Sequence, residues 1–251
     1  MNLTKTTASI DPTSLQKAAR IAGLMYLLII LTSLLIMIFG PYKLIVEGNV
    51  AATFKNILDN ELLFRIGTTY DLIMFASVVI LSVALYAVLK TVNRNFALLG
   101  LLWRLGEAIL GCISVLSSLI ILQLLKGKGF SLIFEFGQVK ALVGLFLDIS
   151  SAAISMVMVF LSLGTIINCY LFFKSKYIPR ILAAFGIFSF LLVLIWSFLN
   201  ILIPDFAETI QIVSSPMAIL FEIMIGLWLL IKGVNVEKWE KRVLESAKTN
   251  N

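Results

Sequence analysis

Arg104 and Glu107 stand three residues apart in a run that is otherwise almost wholly Leu, Ile, Val and Trp. Gly100, Gly111, Ser114 and Ser118 continue the same spacing. Intervals of four and three residues put all six on one face of a helix. A guanidinium and a carboxylate in hydrocarbon are costly and face a bundle interior, a partner or a water-filled cavity. The stripe therefore marks an inward face.

Three other acids sit in apolar runs: Asp71, Asp148 and Glu222. Counted at 1.5 Å per residue, Asp71 lies about five residues inside the outer end of its run. Asp148 is at a similar depth, Glu222 slightly deeper, Glu107 near the midplane and Arg104 in the inner half. Four acids thus accompany one buried base, with Arg65 at the outer rim. Glu107 is the simplest partner for Arg104, which leaves acids that must be held protonated, bind a cation or amine, or line a water-filled pocket. The plain alternative is a structural network that fixes helix register. Supporting polar groups share faces with the acids: Ser151 and Ser155 with Asp148, Asn200 with Gly186, Ser189 and Trp196, and Ser215 and Gly226 with Glu222. Small and hydroxyl residues also let helices approach closely, so these faces can equally be packing seams.

Other chemistry is poorly supported. With no histidine, His-ligated metals, Ser-His-Asp triads and histidine relays are excluded. No G-x-S-x-G elbow, P-loop or dinucleotide fingerprint occurs, and Gly127-Lys128-Gly129 reads as an outer turn. Asp71 and Asp148 could form an intramembrane aspartyl pair, but no G-x-G-D pattern accompanies them. No catalytic residue, metal site or cofactor is expected. Cys112 and Cys169 fall at different depths, which disfavours a disulfide and leaves buried free thiols.

These residues must be positioned by membrane helices. Of 251 residues, 60% are apolar and 14% charged, against 45–50% apolar in soluble domains. The net charge of +6 comes without a basic, aromatic-rich patch, so nucleic acid is not an expected partner; the lipid bilayer is. Six runs reach the length a bilayer requires, at about 21–39, 66–89, 96–125, 143–173, 181–203 and 214–231. They predict an all-α, polytopic bundle of about six transmembrane helices, one domain over 20–233, between a segment 1–19 and a polar tail 234–251. The first run is too long for a cleavable signal peptide. With both termini inside, the inner segments hold 13 Lys and Arg and the outer ones 6, so the positive-inside rule places both termini in the cytoplasm.

Smaller features are also readable. Asp11-Pro12 predicts a helix start. Asn49 predicts a cap for a short interfacial helix with Ala51, Phe54, Ile57 and Leu58 on one side. Glu61 and Arg65 form an i,i+4 pair. The echo between Leu62–Gly67 and Leu101–Gly106 is weak evidence of duplication, and chance takes the larger share.

An ordered set of segments spans most of the chain: Arg20-Ile21-Ala22-Gly23-Leu24-Met25-Tyr26, Ala51-Ala52-Thr53, Leu63-Phe64-Arg65, Asp71-Leu72, Ala84-Leu85-Tyr86, Asn93-Arg94, Arg104 with Glu107, and Glu222 followed by Leu227-Trp228-Leu229-Leu230-Ile231-Lys232-Gly233. Over about residues 17–235 it resembles the bacterial membrane family catalogued as domain of unknown function 4386. The resemblance implies a multi-span protein of the bacterial inner membrane, with Arg65, Asp71, Arg104, Glu107 and Glu222 as recurrent polar positions and no established activity. Asp148 and the serine stripe rest on spacing alone. The expectation is a non-enzymatic protein that binds or transports a small solute or cation, or plays an accessory role with the same pocket. Asp71, Asp148 and Glu222 would face the cavity. The alternatives are a structural or partner-binding membrane protein and, third, an enzyme modifying lipids or peptides.

Overall fold

Each apolar run forms one helix, and the runs pack in the order in which they occur. The computed structural model describes residues 12–39, 41–46, 48–126 and 135–249. The elements are α1 (Pro12–Phe39), a 3-10 turn (Pro41–Leu44), α2 (Val50–Asp59), α3 (Glu61–Leu89), α4 (Arg94–Lys126), α5 (Phe136–Ser175), α6 (Arg180–Leu202), α7 (Pro204–Ile231) and α8 (Val236–Thr249). Among the described residues there is no strand, and α1 and α3 to α7 are long and apolar enough to cross a membrane. The expected cap at Asp11 and the turn at Gly127–Gly129 lie outside the described residues.

The six long helices form a closed ring. Each packs on its neighbour in sequence, and α7 returns to α1. The short connections from α3 to α4, α5 to α6 and α6 to α7 force those neighbours to run antiparallel, and every seam has a close contact. Ser33 Oγ lies 3.3 Å from Met74 Sδ between α1 and α3. The Phe75 ring fills the space over Gly111 between α3 and α4. Ser114 and Ser150 share a 2.6 Å hydrogen bond between α4 and α5, and Asn200 Nδ2 donates to Ser155 Oγ at 3.4 Å between α5 and α6. Phe190 meets the edge of Phe221 at 5.9 Å between α6 and α7. Gly23 of α1 rests on the backbone of Gly226 and Leu230 of α7.

The helices outrun the apolar runs. At 40 residues, α5 is about 60 Å long, twice a hydrocarbon core of about 30 Å. Its start is fixed by a capping box between Glu135 and Gln138, which satisfies two backbone donors reciprocally. The projecting turns support α2, whose Asn49 side chain accepts from Ala52 N at 2.9 Å. The side of α2 packed on the protein is Thr53, Phe54 and Ile57, and Ala51 and Leu58 are exposed. Helix α7 begins ten residues before its apolar run. Its first turns carry Glu208 and Gln211, polar enough to mask the helix in a hydropathy reading. It continues through Pro216, which neighbouring helices in a membrane bundle accommodate.

At the end holding the start of α1 and the finish of α7, called here the near end, the turns are tied together. Tyr177 and Thr91 bond through their hydroxyls at 3.1 Å, and Asn235 N donates to Tyr177 O at 3.0 Å. Gln16 donates to Val234 O at 2.6 Å and accepts from Val234 N at 3.2 Å. Trp239 of α8 is buried against this end.

Candidate functional site

All six stripe residues of α4 are buried. Arg104 is 1% exposed, and its stem lies along Gly164 of α5. A Cβ there would stand 2.9 Å from Arg104 Cγ. Glycine is what admits an arginine between two close helices. Arg104 Nη1 stands 2.9 Å from Glu107 Oε2. The angle is not that of a hydrogen bond, and among the described residues Nε, Nη1 and Nη2 find no acceptor. A guanidinium presents five N–H donors, and leaving buried donors unmet is costly.

The pair borders a chamber of about 270 Å³ at the centre of the ring, to which all six long helices contribute. Ile29, Phe75, Val78, Val157 and Phe190 give it apolar walls, while Ser33, Gln211, Ser215 and Glu222 add polar groups. Glu222 is 9% exposed. Among the described residues no ion pair reaches it, since Arg104 pairs within its own helix. The chamber therefore holds two carboxyl groups beside one guanidinium.

Asp148 is not part of this cluster. It is exposed and lines a separate hollow of about 520 Å³ near the far end, together with Ser151, Ser155 and Asn200. Sixteen residues separate Asp148 from Gly164, about 24 Å along α5, so one helix cannot bring it to Arg104. This corrects the expectation that Asp148 shares a cavity with Glu222. Asp71 is buried on α3 and lines neither the chamber nor the hollow. Arg65 is surface-exposed and bonds Glu61 at 2.6 Å, and Lys126 reaches the same carboxylate at 2.7 Å. Among the described residues no group of three or more His, Cys, Asp or Glu is arranged to hold a metal.

Sequence reasoning missed the relation between the two cavities. Met158 and Trp196 line both and so form the partition. Trp196 Nε1 is buried there without an acceptor. The signal available was the spacing of Trp196 and Asn200 on one face of α6. The cysteines also differ from expectation: both are free, but only Cys169 is buried. Cys112 follows the stripe residue Gly111 and is rotated about 100° to the outer face of α4.

A ring of long apolar helices enclosing a small charged chamber defines a multi-pass helical membrane protein. Residues 21–233 match the profile of the domain of unknown function DUF4386, and the chain belongs to that family. No curated protein and no solved structure matches it.

Proposed function

We propose that the central chamber binds a small amphipathic amine, and that the protein moves or senses this solute in the bacterial inner membrane. The observation that carries the reading is the charge balance of the chamber: Glu107 and Glu222 border it with Arg104 as the one buried cation at its wall. An ammonium group would complete the balance at Glu222. The apolar walls suit a hydrocarbon body, and the unmet N–H groups of Arg104 suit a hydrogen-bond acceptor on the same ligand. The ion pair found lies within α4, so it leaves Glu222 on α7 without a cationic partner among the described residues, which favours binding over the structural alternative.

The hollow at the far end supplies access. Asp148 gives it an anionic mouth, Ser151, Ser155 and Asn200 a polar wall, and Trp196 an aromatic surface at its inner limit. Cations are attracted to such faces. With the lysine- and arginine-rich near end in the cytoplasm, this route opens away from it.

A thermal-shift screen of purified protein against primary and quaternary amines, inorganic cations and neutral analogues tests the reading, with Glu222→Gln beside the wild type. A ligand at 100 times its dissociation constant stabilises by about 2.7 kcal/mol. Stabilisation by amines that disappears in Glu222→Gln supports the proposal; equal responses in both proteins contradict it.

A further inference from the structure

We infer that the near end carries a binding site for one anionic phospholipid, separate from the chamber and independent of the function proposed for it. Between α6 and α7 runs an open groove of about 670 Å³ with walls that include Leu182, Phe185, Leu220, Met224 and Leu227. From Leu220 to Ile231 it follows α7 for about 16 Å, half the thickness of a hydrocarbon core of about 30 Å. At its near-end mouth it meets a second recess of about 330 Å³, and Pro179, Trp228 and Lys232 line both.

The recess differs in chemistry from the groove. Three lysines from three elements border it: Lys176 after α5, Lys232 after α7 and Lys238 in the first turn of α8. Among the described residues that line either cavity there is no Asp or Glu. The fold builds this convergence. Lys176 adopts a left-handed conformation (φ 60°) that ends α5 and turns the chain toward Tyr177. The Asn235 N to Tyr177 O bond and the Gln16 clamp on Val234 then hold α8 so that Lys238 Nζ stands 3.5 Å from Lys176 O. Lys232 Nζ lies 4.7 Å above the Trp228 ring, which places a cation and an interfacial aromatic side by side at the junction.

An apolar groove on the bilayer-facing side that leads into a pocket of ammonium groups matches an acyl chain joined to a phosphodiester. Charge complementarity selects an anionic headgroup: a zwitterionic lipid would bring its own cation into a recess that already holds three. Basic pockets between membrane helices recognise such headgroups through the same attraction.

The test is native mass spectrometry and thermal shift on delipidated protein with phosphatidylglycerol or phosphatidylcholine of identical chains. Phosphatidylglycerol is expected to bind at least tenfold more tightly. The double variant Lys232→Gln/Lys238→Gln should remain folded and lose that preference, while Lys241→Gln, on α8 but outside the recess, should keep it. Equal binding of the two lipids, or an unchanged preference in the double variant, would overturn the inference. So would glycerol 3-phosphate stabilising the protein as well as the lipid does, since the groove would then have no part.

Discussion

Gly23 lies against the backbone of Gly226 where the first spanning helix closes on the last. A Cβ at Gly23 would lie 2.7 Å from the Gly226 carbonyl oxygen, closer than helix backbones tolerate. Two glycines nearly the whole chain apart thus complete the ring that encloses the chamber. Small residues are the usual means of bringing membrane helices this close.

Replacing Gly23 should therefore open the ring. Because the obstructing atoms are backbone and cannot rotate away, Gly23→Leu is expected to cost about 1–3 kcal/mol, the range for overpacking, in thermal or denaturant unfolding in detergent. Gly137→Ala, where an added Cβ meets nothing within 4 Å, should leave stability at or above the wild-type level.

The Arg104–Glu107 pair should behave as a buried pair. Arg104→Ala leaves Glu107 uncompensated inside the ring and is expected to destabilise by about 3–5 kcal/mol. Arg104→Leu/Glu107→Leu removes both charges and should recover a substantial part of that loss. A cycle of Arg104→Leu and Glu107→Leu, singly and together, measures the coupling in unfolding free energy, and additive losses would show that the two side chains act separately.

Tyr177 offers a test at the near end. Burial pushes its phenol above the usual range, opposed by the hydrogen bond to Thr91 and the charge of Arg242. A folded-state value above the unfolded one gives stability that is complete below about pH 10 and is lost as pH rises beyond it. Tyr177→Phe should lower stability by about 0.5–1.5 kcal/mol near neutral pH and flatten the alkaline loss, as measured by unfolding between pH 7 and 11.

The partition between hollow and chamber can be removed. Trp196→Ala takes away one of the two side chains lining both cavities. The reactivity of a cysteine placed at Ser215 in the chamber toward a water-soluble thiol reagent should rise at least tenfold. An unchanged rate would mean that the chamber is reached by another route.

The inward face of α4 was legible in the sequence because periodicity reports rotation about a helix axis directly, and all six stripe residues are buried. The position of Asp148 was not. Its depth was counted from the end of an apolar run, but α5 begins at Phe136 and carries Asp148 out to the hollow beside Asn49 and Val50. Ring closure was equally hidden, since it depends on contact between Gly23 and residues some 200 positions later, and nothing local distinguishes a glycine at such a contact. The lysine recess needs α8 to fold back on Tyr177, a long-range bond that a polar tail does not announce.

Whether the chamber admits and prefers a small organic cation can be read from the labelling of a single thiol inside it. Ser215→Cys, made with Cys112 and Cys169 replaced by Ser and Ala, places a single thiol on the chamber face of α7. Its rates of reaction with trimethylammonium-ethyl and sulfonatoethyl methanethiosulfonate are compared in folded protein, each relative to the same reagent's rate with a small free thiol. A chamber selective for cations gives faster relative reaction with the cationic reagent, protection by the stabilising amine, and loss of the preference in Glu222→Gln. Equal relative rates for the two reagents, or a preference that survives Glu222→Gln, would contradict it.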